Sequence, residues 1–208
     1  MERRSSAFYQ RRHRDRLREQ GLVKKELWVL PEYADELAAV ERRMRLPRGG
    51  PSPAAPTEGE LAMPDKTLWT AKALHDALVA SDGARLGVIT AELIDGAEPG
   101  LYLTMHDYGD LPLYMAVVGR QIVVEAMLWP VSQVRDAAGF NEELLRTHKL
   151  FPLSTLGIET IDGEAVYIMF GALSSASSLA DVLFEMETLA DNVIRATEAY
   201  EWHLREAA

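Results

Sequence analysis

Four stretches with β-type alternation, residues 86–93, 100–106, 111–118 and 121–129, are joined only through Asp95-Gly96, Tyr108-Gly109-Asp110 and Gly119-Arg120. A crossover between parallel strands needs about a dozen residues or more, usually a helix. None of these connections has that length, so the strands must follow one another as antiparallel hairpins. Pro130 closes the block. Residues 140–149 then read as a short helix, and residues 154–161 and 165–173 as two further strands around an Asp162-Gly163 hairpin turn. Ahead of the block, Asp65 or Thr67 caps a helix that runs to about Ala80, with Leu68, Ala71, Leu74 and Leu78 on one side. The fold class is α+β, an antiparallel sheet flanked by helices.

The C-terminal stretch carries the strongest helical signal. The serines of Ser174-Ser175-Ala176-Ser177-Ser178 supply capping hydroxyls. After them Leu179, Val182, Met186, Leu189, Val193, Ala196 and Tyr200 alternate three and four residues apart, the stripe of an amphipathic helix about 28 residues long. Two uses of the stripe are open. It packs on the sheet, or Leu179, Val182, Met186, Leu189, Val193 and Tyr200 form a seam with a second copy or another partner. Asp181, Glu185, Asp191, Glu198 and Glu201 fall on the opposite, acidic face.

Charge divides the chain. Residues 1–48 hold 13 Lys/Arg and 8 Asp/Glu, a balance of +5, which leaves −15 on the rest of a chain whose net charge is −10. Between the two lies Pro47-Arg48-Gly49-Gly50-Pro51-Ser52-Pro53, continuing through Pro56 and Gly59, without apolar periodicity. Three regions follow: a basic helix-strand-helix segment at 1–46, a Pro/Gly-rich linker at 47–64, and an acidic α+β domain at 65–208. In the basic segment a helix capped by Ser5 or Ser6 runs to about Gln20 and stops at Gly21. Arg11, Arg14 and Arg18 share one of its faces, and Lys24 and Lys25 begin the strand that runs on to Leu30. Pro31 then opens a helix through Met44. These five cations form the candidate contact for nucleic acid or another anionic surface. The alternatives are that the arm docks on its own acidic body or is a solvated helix.

Chemical motifs are sparse. With no cysteine, thiol catalysis, disulfides and cysteine-bound metals are excluded. None of His13, His75, His106, His148 and His203 stands in a metal-ligand spacing, and no phosphate loop or nucleophile elbow is present. The expectation is a protein with no catalytic residues, no metal and no cofactor. His106 with Asp107 and Asp110 is the nearest approach to an acid/base cluster, and carries the competing reading of an enzyme. No apolar run approaches the ~18 residues of a spanning helix. The charged N-terminus lacks a secretory apolar stretch, so a cytoplasmic protein is expected.

Several long strings in order, Asp110-Leu111-Pro112-Leu113-Tyr114, Leu128-Trp129-Pro130-Val131-Ser132-Gln133-Val134, residues 140–149, Phe170-Gly171-Ala172-Leu173-Ser174 and Glu187-Thr188-Leu189-Ala190-Asp191-Asn192-Val193-Ile194, resemble the YjfI family of uncharacterised bacterial proteins. The resemblance spans about residues 66–204. It implies no catalytic residue. Through gene context in a stress operon, it points to a phage-shock-protein-A-like coiled-coil membrane-remodelling protein as partner. The order of elements resembles the type III secretion chaperone-like fold, whose members are small acidic dimers that bind protein segments. That fold commonly has three strands before the short helix, where four are read here. Residues 9–22 with Leu27-Trp28-Val29 resemble antitoxin-type and ribbon-helix-helix DNA-binding segments, although one helix follows the strand where that fold has two.

The resulting expectation is a dimeric, chaperone-like adaptor that binds a protein partner through its acidic domain. The alternative is a DNA-binding transcriptional regulator that reads through residues 1–46.

Overall fold

The computed structural model describes residues 6–24, 37, 40, 44, 68–96 and 99–205. It divides into two compact units, residues 1–15 with 66–208, and residues 16–65. The first helix, α1 (Ser6–Glu19), runs across that boundary. In the second unit it ends at Gly21, which takes φ +76, a conformation open to glycine without a Cβ penalty. The Gly21 and Leu22 amides donate back to the carbonyls of Arg18 and Leu17, both at 2.9 Å, so the last turn is closed by its own backbone. Of the expected helix from Pro31, residues Leu37, Val40 and Met44 are described, and all are helical. The strand expected after Lys24 and the 47–64 linker lie outside the described residues.

In the first unit the order is α2 (Ala71–Val79), α3 (Asp82–Arg85), β1 (Ile89–Ile94), β2 (Gly100–Met105), β3 (Leu111–Val118), β4 (Gln121–Pro130), α4 (Ala137–Thr147), β5 (Thr155–Ile161), β6 (Glu164–Ser174) and α5 (Leu179–Tyr200). The strands form one antiparallel sheet in the order β1-β2-β3-β4-β6-β5. All four strands expected before the short helix are present. The Asp162-Gly163 turn takes φ of 51 and 82, the two positive values that a tight hairpin turn with a right-handed twist requires.

The core lies between one face of the sheet and α5. Leu101, Leu103, Met105, Leu113, Met115, Ile122, Val124, Ala126 and Met169 meet Val182, Met186, Leu189, Val193 and Ala196, all buried. The α5 stripe is therefore packed on the chain's own sheet. Val182, Met186, Leu189 and Val193 are fully covered, Tyr200 is buried, and Leu179 packs at the edge of the cluster. A seam to a second copy needs other residues, because these side chains are already removed from water.

Some boundaries differ from the expectation. The helix before the sheet is capped by Thr70, whose hydroxyl accepts from the Ala73 amide, rather than by Asp65 or Thr67. The first strand begins at Ile89 because Ser81 caps the short helix α3 over Asp82–Arg85. The last helix has 22 residues, opened by a reciprocal box between Ser178 and Asp181. It stops at Tyr200 because Glu201–His203 turn in a tighter helix and the backbone then pairs with the segment before α4. Leu204 bridges Val134, and the Arg205 amide donates to Gln133 at 2.8 Å. Glu185 also departs from the expected acidic face. It is 2% exposed and lies against Gly171 of β6.

A register shift between Met127 and Trp129 marks a bulge in β4. It leaves both Leu128 and Trp129 buried, where strict alternation would expose one of them.

Candidate functional site

Between β2 and β3 the chain makes a tight turn over His106–Tyr108, closed by Gly109 at φ +76 and followed by Asp110 at φ +60. Aspartate tolerates that left-handed region better than most side chains. The turn is braced from within. A carboxylate only accepts, so His106 Nδ1–H donates to Asp110 Oδ1 at 2.6 Å, and Nε2 lies 2.7 Å from the Thr90 hydroxyl. The His106 amide also donates to the Val88 carbonyl at 2.9 Å. His106 and Asp110, the pair picked out by spacing, are thus together, with a hydroxyl at the far side of the imidazole. The Thr90 end of this relay is exposed. Among the described residues no group of His, Asp or Glu has the arrangement of a metal site.

Helix α1 sits on this turn. His13 donates from Nδ1 to the Asp107 carbonyl at 2.6 Å, and its ring stacks on Tyr108, with centroids 5.5 Å apart and planes 10° from parallel. Arg12 forms an ion pair with Asp110, and Arg14 pairs with Glu198 of α5 at 3.2 Å. With its amide oriented to accept, Gln10 lies 2.9 Å from the Arg14 guanidinium. Gly109 allows the approach. A Cβ there would stand 2.6 Å from the Tyr9 carbonyl oxygen and 2.8 Å from the His13 amide, both backbone atoms of α1. The face that α1 buries is polar: Ser6, Gln10 and His13, at i, i+4 and i+7, are 0%, 2% and 7% exposed.

The five cations chosen from the sequence therefore separate. Arg14 is engaged with Glu198, Arg11, Arg18 and Lys24 are exposed, and Lys25 lies outside the described residues. Arg12 and His13, which reach the body, are not among the five. Their neighbours in space, Asp107, Tyr108 and Asp110, are more than ninety residues away in sequence, and no local periodicity signals such a pairing.

A second polar constellation joins α4 to the chain's end. The Tyr167 hydroxyl donates to Asn141 at 2.7 Å, Thr147 and Tyr200 share a 2.6 Å hydroxyl contact, and His203 Nε2 lies 2.9 Å from Glu143. Phe140 lies at its centre, edge-on to Tyr167 and Tyr200 and 4.6 Å from the His203 ring. Burial raises the Tyr167 hydroxyl above its ordinary pKa. Burial also raises Tyr200, with a further push from Glu143, against the hydrogen bond from Thr147, which lowers it. The arrangement clamps the C-terminal turn to α4. His203→Ala removes a ring that packs on Phe140 and leaves Glu143 without its imidazole, so unfolding in urea is expected to move down by about 1–2 kcal/mol. An unchanged midpoint would mean that the clamp carries no stability. A third tie, buried Asn192, donates to the Pro152 carbonyl at 2.8 Å and to Ser154 at 2.9 Å, holding the α4–β5 connection against α5.

No helix among the described residues is long and apolar enough to cross a membrane. The family DUF2170, described as an uncharacterized protein conserved in bacteria, matches residues 68–204, which include both the turn at 106–110 and the α4 clamp but not α1. Uncharacterized protein YjfI of Escherichia coli K12 is 41% identical over 108 residues, 52% of this chain and 81% of its own length. The protein of the same name from Escherichia coli O157:H7 gives the same figures. The crystal structure of YbjN from E. coli aligns with a TM-score of 0.44 at 13% identity, covering 65% of this chain and 96% of its own. With its sheet, its short helix and its long C-terminal helix all inside the matched residues, this chain belongs to the DUF2170 family of YjfI-like bacterial proteins.

Proposed function

We propose that the protein is a non-enzymatic, chaperone-like adaptor whose acidic α+β body binds a helical segment of a protein partner. The observation that carries this reading is α1 itself, a basic helix seated on the body through Asp110 and Glu198. The body is thereby a surface able to hold a helix of opposite charge. The resemblance to the YjfI family makes a phage-shock-protein-A-like coiled-coil protein the first partner to test, and the chaperone-like resemblance makes a homodimer the expected assembly. Affinity purification of the full chain from its own cells, with one portion treated with nuclease, is expected to recover a coiled-coil stress protein from both portions. A chain that is strictly monomeric and recovers no protein removes the reading.

A DNA-binding regulator is the second reading, favoured by the exposure of Arg11, Arg18 and Lys24. It requires binding to duplex DNA that weakens steeply with salt, with a log–log slope of about −0.9 for each phosphate contacted. Binding that is absent, or indifferent to salt, excludes it.

A further inference from the structure

We propose that the place where α1 sits is an exchange site, which takes a basic helix from a protein partner when α1 leaves it. This rests on the adaptor reading and adds to it the location, the chemistry of the occupant and the competitor. The site is assembled from three parts of the fold: the 106–110 turn offers the Asp107 carbonyl, the Tyr108 ring and the Asp110 carboxylate, α5 offers Glu198, and Gly109 leaves the gap between them open. An occupant must be helical, because it is the backbone at Tyr9 and His13, one turn apart, that closes over Gly109. It must carry arginines two residues apart with a histidine between them, as Arg12, His13 and Arg14 do. That is the description of a basic helix.

Two observations make α1 a replaceable occupant. First, the residues it buries most deeply are the polar Ser6, Gln10 and His13, and its apolar contact with the core is made by the half-buried Tyr9. Its ion pairs are partly exposed, with Arg12 at 46% and Asp110 at 23%, a setting in which a pair contributes about 0.2–1 kcal/mol. Second, the Ser6 hydroxyl is fully buried and has no hydrogen-bond partner among the described residues. A helix with alanine at that position would fit without the desolvation cost of an unmet hydroxyl. Against this, α1 is tethered to the body, and a tethered helix competes at an effective concentration of roughly millimolar.

The test uses the full chain and a fluorescent peptide of residues 6–19 carrying Ser6→Ala. In the chain variant Arg12→Glu/Arg14→Glu, α1 is repelled from Asp110 and Glu198 while the site is untouched. The peptide is expected to bind that variant about tenfold or more tightly than the wild-type chain, since the internal competitor is gone. Adding Asp110→Asn to the variant is expected to weaken the peptide again. Amide exchange of residues 6–15 in the wild-type chain is expected to speed up as peptide is added, a readout that does not depend on the variants folding. Equal affinity for both chains, no saturable binding, or undiminished binding of a peptide that itself carries Arg12→Glu and Arg14→Glu overturns the proposal. So does release of α1 by duplex DNA but not by peptide, which moves the site to the regulator reading. A chain that exchanges helices in this way yet recovers no partner from its cells fails the adaptor reading alone.

Discussion

Gly109→Val is expected to release α1 from the body while leaving the sheet folded. Position 109 has φ +76, which a β-branched residue adopts only under strain, at a cost of about 1–2 kcal/mol or more. The new Cβ would fall 2.6 Å from the Tyr9 carbonyl oxygen and 2.8 Å from the His13 amide. Both are backbone atoms of a helix and cannot swing aside as a side-chain tip does, so relief comes from moving α1 as a whole. Its removal breaks the His13 bond to Asp107, the Arg12 pair with Asp110 and the Arg14 pair with Glu198 together. Trypsin cleavage after Arg11, Arg12 and Arg14 is expected to accelerate by about tenfold or more, and amide exchange over residues 6–15 to rise with it, because both follow the population of the open form. Gly109→Ala is expected to fall between the two. Unaltered protection of residues 6–15 in the valine variant would show that α1 is held elsewhere.

Glu185→Gln is expected to stabilise the protein at neutral pH. The residue is 2% exposed in the helix–sheet interface, and its Oε1 has no hydrogen-bond partner among the described residues. Burial raises its carboxyl above the ordinary range. An acid whose folded pKa is raised binds its proton more readily in the folded state than in the unfolded chain. Stability therefore falls as pH rises from about 4.3, the unfolded value, through the folded pKa, and the whole penalty is present above it. Glutamine removes the charge and keeps the shape, and the expected gain at pH 7–8 is about 1–3 kcal/mol, or roughly 2–4 °C in Tm for each kcal/mol. The difference between the two proteins is expected to shrink to nothing near pH 4. A difference that stays constant between pH 4 and 8 would show that the charge of Glu185 is not the cause.

The same carboxyl occupies the space that Gly171 leaves. A Cβ at 171 would stand 1.7 Å from Glu185 Oε1 and 2.8 Å from its carboxyl carbon. Gly171→Ala is thus expected to cost about 1–3 kcal/mol, and nearly nothing once Glu185 is alanine, since the two positions share one volume. Additive losses in the double variant would separate them.

How far residues could be read depended on whether their partners were local. The strand 111–118 and the Asp162-Gly163 turn follow from alternation and turn chemistry, and the structure has both. The end of α1 at Gly21 and the capping of α5 within the serine run are equally local, since each hydrogen bond closes within a few residues. Trp129 escaped the alternation because a bulge in β4 adds one residue to its side of the ladder. A helical wheel puts Glu185 on the acidic face because it has no knowledge of Gly171, the residue that makes room for it.

The candidate site was legible only in part. His106 and Asp110 stand i, i+4 across a turn, and their pairing could be suspected from spacing. Thr90, on another strand, could not. The charge split announces a basic arm and an acidic body, but it does not indicate that Arg12 and His13 meet the body beside Arg14 of the expected face. Arg12 and His13 do so because Gly109 admits the helix backbone at that point and no other criterion of sequence selects it.

From its order of residues alone this chain was bound to form an antiparallel sheet with a long amphipathic C-terminal helix, since short connections and hydrophobic period act within a few residues. Where α1 lies, which of its cations are engaged, and which acidic side chain is buried were decided by the tertiary structure, because each depends on contacts between segments far apart in the chain.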